Sequence, residues 1–161
     1  MVKYHNAMVV FEEIPNEITL AINITNCPCK CPGCHSKFLW ADTGTELTFD
    51  ELDKLIKKND GITTVCFMGG DSEPKYINEL AEHIIKTTPD TIKVAWYSGR
   101  DTISDEISVN NFDYIKIGHY DDKFGALNKK TTNQRLYKVY FDKDDKPMLD
   151  DITSLFWKKG D

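Results

Sequence analysis

Short runs of β-branched and aromatic residues alternate along this chain with longer stretches in which apolar positions recur every three or four residues. That alternation is the pattern of strands joined by crossover helices. The strand-like runs are 7–11, 18–24, 64–68, 92–97, 114–117 and 136–141, and the first and last read as the edges of a sheet. Thr48 followed by Glu51 forms a capping box ahead of Leu52, Leu55 and Ile56, which predicts a helix ending near Asn59-Asp60-Gly61. Pro74 suits a first helical turn, with Ile77, Leu80, Ala81, Ile84 and Ile85 facing inward and Pro89 beyond the end. A short helix is expected over 101–107, opened by Asp101 or Thr102, and the acidic tail 142–151 reads as mobile.

A complete eight-unit barrel takes roughly 200 residues or more, so these 161 residues hold a smaller version of that plan. The expectation is an α/β fold: an open, partial (β/α) barrel of about five or six mostly parallel strands, formed by a single domain over 1–161. In such sheets the chemistry gathers where strands end and loops begin. Here a cysteine cluster follows 18–24, Gly69-Gly70-Asp71 follows 64–68, Ser98-Gly99-Arg100 follows 92–97, and Lys116 stands near the end of 114–117. Four polar features would therefore meet on one rim.

Composition narrows the class of partner. The chain is 40% hydrophobic and 29% charged, without an apolar run that could span a bilayer. A net charge of -6, with lysines interleaved among acids, disfavours nucleic acid. The N-terminus lacks the basic start, apolar core and small-residue cleavage site of a secretory signal, so a cytoplasmic location is expected.

Four of the five cysteines crowd into CPCKCPGC, too close together to staple distant parts of a fold. Metal ligation explains them better. Cys27, Cys31 and Cys34 form CxxxCxxC, which can hold three irons of a [4Fe-4S] cube and leave the fourth open to another ligand. Pro28 and Pro32 stiffen the loop and Gly33 permits its sharp path. The rival is zinc, bound by Cys31 and Cys34 with His35 and one of Cys27 or Cys29, although no second CxxC or HxxxH supplies the usual distant pair. Cys66, inside a strand-like run, reads as core, and Cys29 as a bystander or supporting thiol.

The CxxxCxxC pattern after an early strand, His35 behind its third cysteine, and the later Gly69-Gly70-Asp71 resemble the radical SAM family. CPGCHSKFLW, MGGD, WYSGR and TTNQR resemble more narrowly a subgroup of small proteins of that family, the activating proteins of anaerobic ribonucleoside-triphosphate reductases. This resemblance covers about 9–140. It departs at Asp71, where many radical SAM enzymes have Glu, at Ser98-Gly99-Arg100 in place of Thr-Gly-Tyr, and at Ile14-Pro15-Asn16-Glu17 in place of an upstream Gly-Pro-Gly.

The resemblance implies a compact radical SAM core with a [4Fe-4S] cluster on Cys27, Cys31 and Cys34 and S-adenosylmethionine (SAM) on the open iron. It implies an oxidoreductase that makes a 5'-deoxyadenosyl radical and installs a glycyl radical on the reductase, with a reduced flavodoxin-like protein as electron donor. Gly69 and Gly70 would admit the methionine moiety, and Asp71 would pair with its ammonium. Ser98 and Lys116 would reach its carboxylate or ribose, although Lys116 reads equally as a snorkelling strand residue. His35 would stack beside adenine or support the cluster, or stand as a solvated loop histidine. Trp40 and Arg135 would face the partner protein or serve structure. Two further readings remain: a radical SAM enzyme acting on a small molecule, and a binding module with zinc or an iron–sulfur centre and no catalysis.

Overall fold

The computed structural model describes residues 1–34, 36–88 and 90–157. Pro89, expected beyond the second helix, lies outside the described residues. Among those described, the chain forms β1 (Lys3–Val10), β2 (Thr19–Ile24), β3 (Thr45–Glu46), α1 (Phe49–Lys58), β4 (Thr64–Met68), α2 (Pro74–Thr87), β5 (Lys93–Tyr97), β6 (Tyr114–Ile117), β7 (Arg135–Phe141) and β8 (Pro147–Asp151). They build one mixed α/β layer structure around an eight-stranded sheet in the order β3-β1-β2-β4-β5-β6-β7-β8.

Three expectations about the sheet are corrected. It has eight strands rather than five or six, and only its middle, β2-β4-β5-β6, is parallel. Both flanks are antiparallel, which makes antiparallel pairing the commoner kind. The physical reason lies in the connections. Parallel neighbours need a crossover of a dozen or more residues; neither 11–18 nor 142–146 is long enough for one, and 118–134, between β6 and β7, is long enough but forms no crossover helix. At the second turn the Asp142 amide donates to the Lys146 carbonyl at 3.0 Å, and Asp145 takes a left-handed φ of 57°. The tail read as mobile is thus the edge strand β8. All five of its residues are exposed, so it carries no alternation of apolar and polar positions. The edges are β3 and β8, not the first and last strand-like runs.

The helices follow their sequence signals closely. Thr48 caps α1, its hydroxyl accepting from the Glu51 amide at 3.0 Å. The Glu51 carboxylate does not complete the reciprocal box but accepts from the Tyr4 hydroxyl at 2.7 Å, tying α1 to β1. Pro74 opens α2, and Ile77, Leu80, Ala81 and Ile84 are buried, while Ile85, expected inward, is 50% exposed. The segment 101–107 is not helical; a single 3-10 turn, Val109–Asn111, follows it.

Alternation along the parallel strands divides the core. Leu20, Ile22, Ile24, Val65, Phe67, Val94, Trp96 and Ile115 face the helices and pack with Leu52, Ile77, Leu80 and Ile84. On the opposite face Cys66, Ala95, Tyr114 and Leu136 pack beneath Ile14. Cys66 is the core residue its position in the strand suggested. No helix among the described residues is long and apolar enough to cross a membrane.

Candidate functional site

Near the carboxyl ends of the four parallel strands one row crosses the sheet: Asn23 pairs in register with Met68, Met68 with Tyr97, and Tyr97 with Lys116. Register partners point to the same side of a sheet, so this row faces away from the helices. Beyond it lie the turns expected to carry chemistry, all at the carboxyl ends of parallel strands.

Asp71 is the hub. It is only 8% exposed and takes three donors: the Ser98 hydroxyl at 2.5 Å to Oδ1, and the Gly99 amide at 2.8 Å and Cys29 Sγ at 3.7 Å to Oδ2. A buried carboxylate without donors costs several kcal/mol, and this set satisfies it and holds it in place. The turn before it is held by β5. The Gly69 amide donates to the Tyr97 carbonyl at 3.0 Å, and Trp96 Nε1 donates to the Gly69 carbonyl at 2.7 Å. Gly69 and Gly70 have φ values of 109° and 93°, a region closed to side chains, and a Cβ on Gly70 would enter Ile77.

The cysteine loop leaves β2 and is pinned at its base, where the Asn26 amide donates to the Ala41 carbonyl and the Cys27 amide to the Leu39 carbonyl, both at 3.0 Å. Its thiols are half-buried and none is paired in a disulfide. The Cys34 amide donates to the Cys31 carbonyl at 3.1 Å, and the Ser36 amide donates to Cys34 Sγ at 3.4 Å. Amide hydrogen bonds to sulfur are among the contacts that tune thiolate-bound clusters. A side-chain hydrogen bond with Cys29, together with the amides of residues 29 and 30, draws the Cys27 thiol down to about 6. Cys29 moves the other way, because of the same bond to Cys27, its partial burial and Asp71 beside it. The loop thus has a thiolate ready for a soft cation and a neighbour that keeps its proton.

That donor set fits an iron–sulfur cubane. The irons of a cubane are separate centres, each taking its own thiolate from one loop. His35, expected beside the cofactor, lies outside the described residues.

Lys116 is 8% exposed, with Nζ donating to the Ser98 carbonyl at 3.1 Å and the Gly118 carbonyl at 2.9 Å and standing 5.7 Å from the centre of the Tyr97 ring. Burial pushes its ammonium down to about 8, against the opposing pull of Asp71 and then of Cys31, Cys29 and Cys27. It is no snorkelling residue. Its head is inside, on the wall that faces the thiols.

The structure therefore brings Gly69, Gly70, Asp71, Ser98 and Lys116 together, with Cys29 joining Asp71 to the cysteine loop. Trp40 and Arg135 do not enter this network. Lys37 stands 5.9 Å from the Trp40 ring, and Arg135 pairs with Asp151 of β8 at 3.7 Å.

Beside Cys34 and Tyr97 opens a cavity of about 910 Å³, walled in part by Glu13, Pro15, Gln134 and Phe156. Its volume falls within the range of small-molecule sites. The Tyr97 hydroxyl donates to the Glu13 carbonyl and so joins the segment after β1 to the rim. Sequence reasoning missed Tyr97, which reads as the last core residue of a strand, and Asp122, whose carboxylate lies against Gly33. Only the register of the strands and the fold of 118–134 bring them here. Thr131 to Phe124, Thr132 to Gly125 and Asn133 to His119 are the bonds that brace that segment, which gives TTNQR a structural task.

A mixed α/β sheet presenting three thiols of CxxxCxxC at its carboxyl rim defines an iron–sulfur protein. The chain belongs to the 4Fe-4S single cluster domain family, whose model matches residues 18–139, more than half of its length and all four thiols of the loop. No curated protein and no solved structure matches it.

Proposed function

We propose that this chain is a radical SAM activating enzyme that installs a glycyl radical on an anaerobic ribonucleoside-triphosphate reductase. The observation that carries the reading is the meeting of the cysteine loop with Gly69-Gly70-Asp71, Ser98 and Lys116 at the ends of four parallel strands. The radical SAM resemblance assigns these positions to cofactor binding, and the parallel middle of the sheet is the element a compact, partial-barrel core of that family would use.

Cys27, Cys31 and Cys34 would hold the cluster. When bound, a [4Fe-4S] cluster and SAM supply reductive cleavage of a carbon–sulfur bond and abstraction of a hydrogen atom. The protein's part is binding, orientation and exclusion of water. Gly69 and Gly70 hold a left-handed turn packed on Ile24 and Ile77, and that turn would present its backbone to the methionine moiety. Asp71, fixed by Ser98 and Gly99, presents negative charge to an ammonium, and Ser98 and Lys116 present donors to a carboxylate or ribose. His35 is proposed to lie beside the adenine or the cluster. The cavity beside Cys34 leaves room at the rim for a segment of a protein substrate. A reduced flavodoxin-like protein is proposed as donor, and the cytoplasm as the place of action.

The test is anaerobic reconstitution followed by reduction with SAM. Methionine and 5'-deoxyadenosine are expected, and a glycyl doublet by electron paramagnetic resonance when the reductase is added. Cofactor cleavage without the doublet would turn the reading to a small-molecule substrate. One zinc per chain and no cleavage would end it.

A further inference from the structure

The least usual feature of the rim is a buried ammonium, that of Lys116, with no carboxylate in ion-pair contact among the described residues. The strong donors of Lys116 go to two backbone carbonyls, those of Ser98 and Gly118. Backbone carbonyls solvate a cation but do not neutralise it, so its charge acts on its surroundings with little screening by water. The surroundings are known from contacts. Ser98, whose carbonyl receives Lys116, gives its hydroxyl to Asp71 at 2.5 Å, and Asp71 receives Cys29 Sγ at 3.7 Å. The Cys29 side chain also stands in hydrogen-bond contact with that of Cys27. A continuous chain of contacts thus runs from the ammonium to the first thiol of CxxxCxxC.

We propose that the charge of Lys116 sets the reduction potential of the iron–sulfur centre, holding it higher than the same centre would have without a cation in this wall. The proposal rests on the reading that Cys27, Cys31 and Cys34 hold a [4Fe-4S] cluster, and it needs neither SAM nor a partner protein. Reduction adds one electron to a centre already bearing thiolate charge, and a buried cation nearby favours the more negative state. Asp71, on the same path, opposes it. The Nζ–Tyr97 ring contact at 5.7 Å adds a further reason for the ammonium to stay where it is, since the ring face attracts cations. At neutral pH the group is protonated, its burial-lowered value standing at about 8.

The experiment is a potentiometric titration of the anaerobically reconstituted full chain at pH 7, without SAM, followed by electron paramagnetic resonance. Lys116→Gln keeps a donor without the charge, Lys116→Arg keeps the charge, and Asp71→Asn removes the opposing one. With iron and sulfide per chain unchanged, Lys116→Gln is expected to lower the midpoint, so that at a fixed potential the ratio of reduced to oxidised centre falls severalfold. Lys116→Arg should return it toward wild type, and Asp71→Asn should move it upward. Lys116→Met is the second neutral variant, and the downward shift is required of whichever one keeps the native circular dichroism. An unchanged midpoint in a fully loaded neutral variant would overturn the proposal. So would shifts of the same sign in Lys116→Gln and Asp71→Asn, which would report water entering a loosened site. Wild-type protein that takes up no iron would instead refute the cluster reading beneath it.

Discussion

Ser98 and Asp71 are joined across 2.5 Å, hydroxyl to carboxylate, although 27 positions separate them and they follow different strands. The bond exists because β4 and β5 run parallel in register, Met68 opposite Tyr97, so that the turns leaving them emerge side by side. Cys29 reaches the same carboxylate from the turn after β2. Three strand ends are thereby locked into one polar cluster, and several experiments can separate its parts.

The thiols are expected to divide three to one. Cys27→Ala, Cys31→Ala and Cys34→Ala should each lose most of the iron and sulfide retained after anaerobic reconstitution, because one loop supplies all three thiolates. Cys29→Ala should keep the full load, since Cys29 gives its thiol proton to Asp71. Iron and sulfide analysis decides it, and loss of iron in Cys29→Ala would make Cys29 a ligand.

Gly99 is fitted against Cys29. A Cβ there would stand 2.9 Å from Cys29 Sγ and 3.4 Å from its Cβ. Gly99→Ala is therefore expected to destabilise the chain by about 1–3 kcal/mol, the usual cost of overpacking. In the Cys29→Ala background the sulfur is gone and most of that cost should disappear. Urea midpoints for the four members of this double-mutant cycle measure it, and strict additivity would show that the two residues do not compete for this space.

Much of this was legible in the sequence, and what was missed has physical causes. The helices α1 and α2 announce themselves through Thr48, Pro74 and their apolar stripes, and β4 and β6 occupy the residues their runs marked. The rim itself was legible too, because Gly69-Gly70-Asp71 and Ser98-Gly99-Arg100 follow strands whose common direction the helices between them imply. Strand direction at the flanks was not, since it depends on connections that a residue pattern does not describe. β8 gave no signal because both its faces meet water, and Tyr97 none because its role comes from register with Lys116. The carboxylate of Asp122 lies against Gly33 across a long loop, and no spacing rule links them.

Ile77 carries the site on the core. It is fully buried in α2, and a Cβ on Gly70 would collide with its side chain, so the glycine turn rests directly on it. Ile77→Ala is expected to cost about 2–5 kcal/mol through lost burial and the cavity left behind. The cavity would lie under Gly70 and loosen the turn that positions Asp71. Reduced iron retention at temperatures well below the melting transition would show that loosening, while unaltered retention would confine the effect to stability.

Alkaline pH should weaken the fold through its tyrosines. Burial first, and then Glu17 nearby, pushes Tyr114 up to about 12. Burial and a hydrogen bond to Glu51 do the same to Tyr4, and burial holds Tyr97 well above its usual range. In the unfolded chain these phenols ionise near 10. The stabilising effect of keeping their protons is therefore whole below about pH 10, and is lost progressively as the pH rises toward 12, where the unfolded chain has released protons that the folded one retains. Tyr114, 5% exposed and donating to Glu17 at 3.2 Å, should account for on the order of 2 kcal/mol of that loss. The measurement is the urea midpoint between pH 9 and 11.5 for wild type and Tyr114→Phe, with phenolate absorbance followed in the same samples. Wild type should decline more steeply than the variant over this window, because Phe has no proton for the unfolded state to release. Parallel declines would mean that Tyr114 ionises in the folded chain as readily as in water, and that its bond to Glu17 adds nothing to the fold's resistance to base.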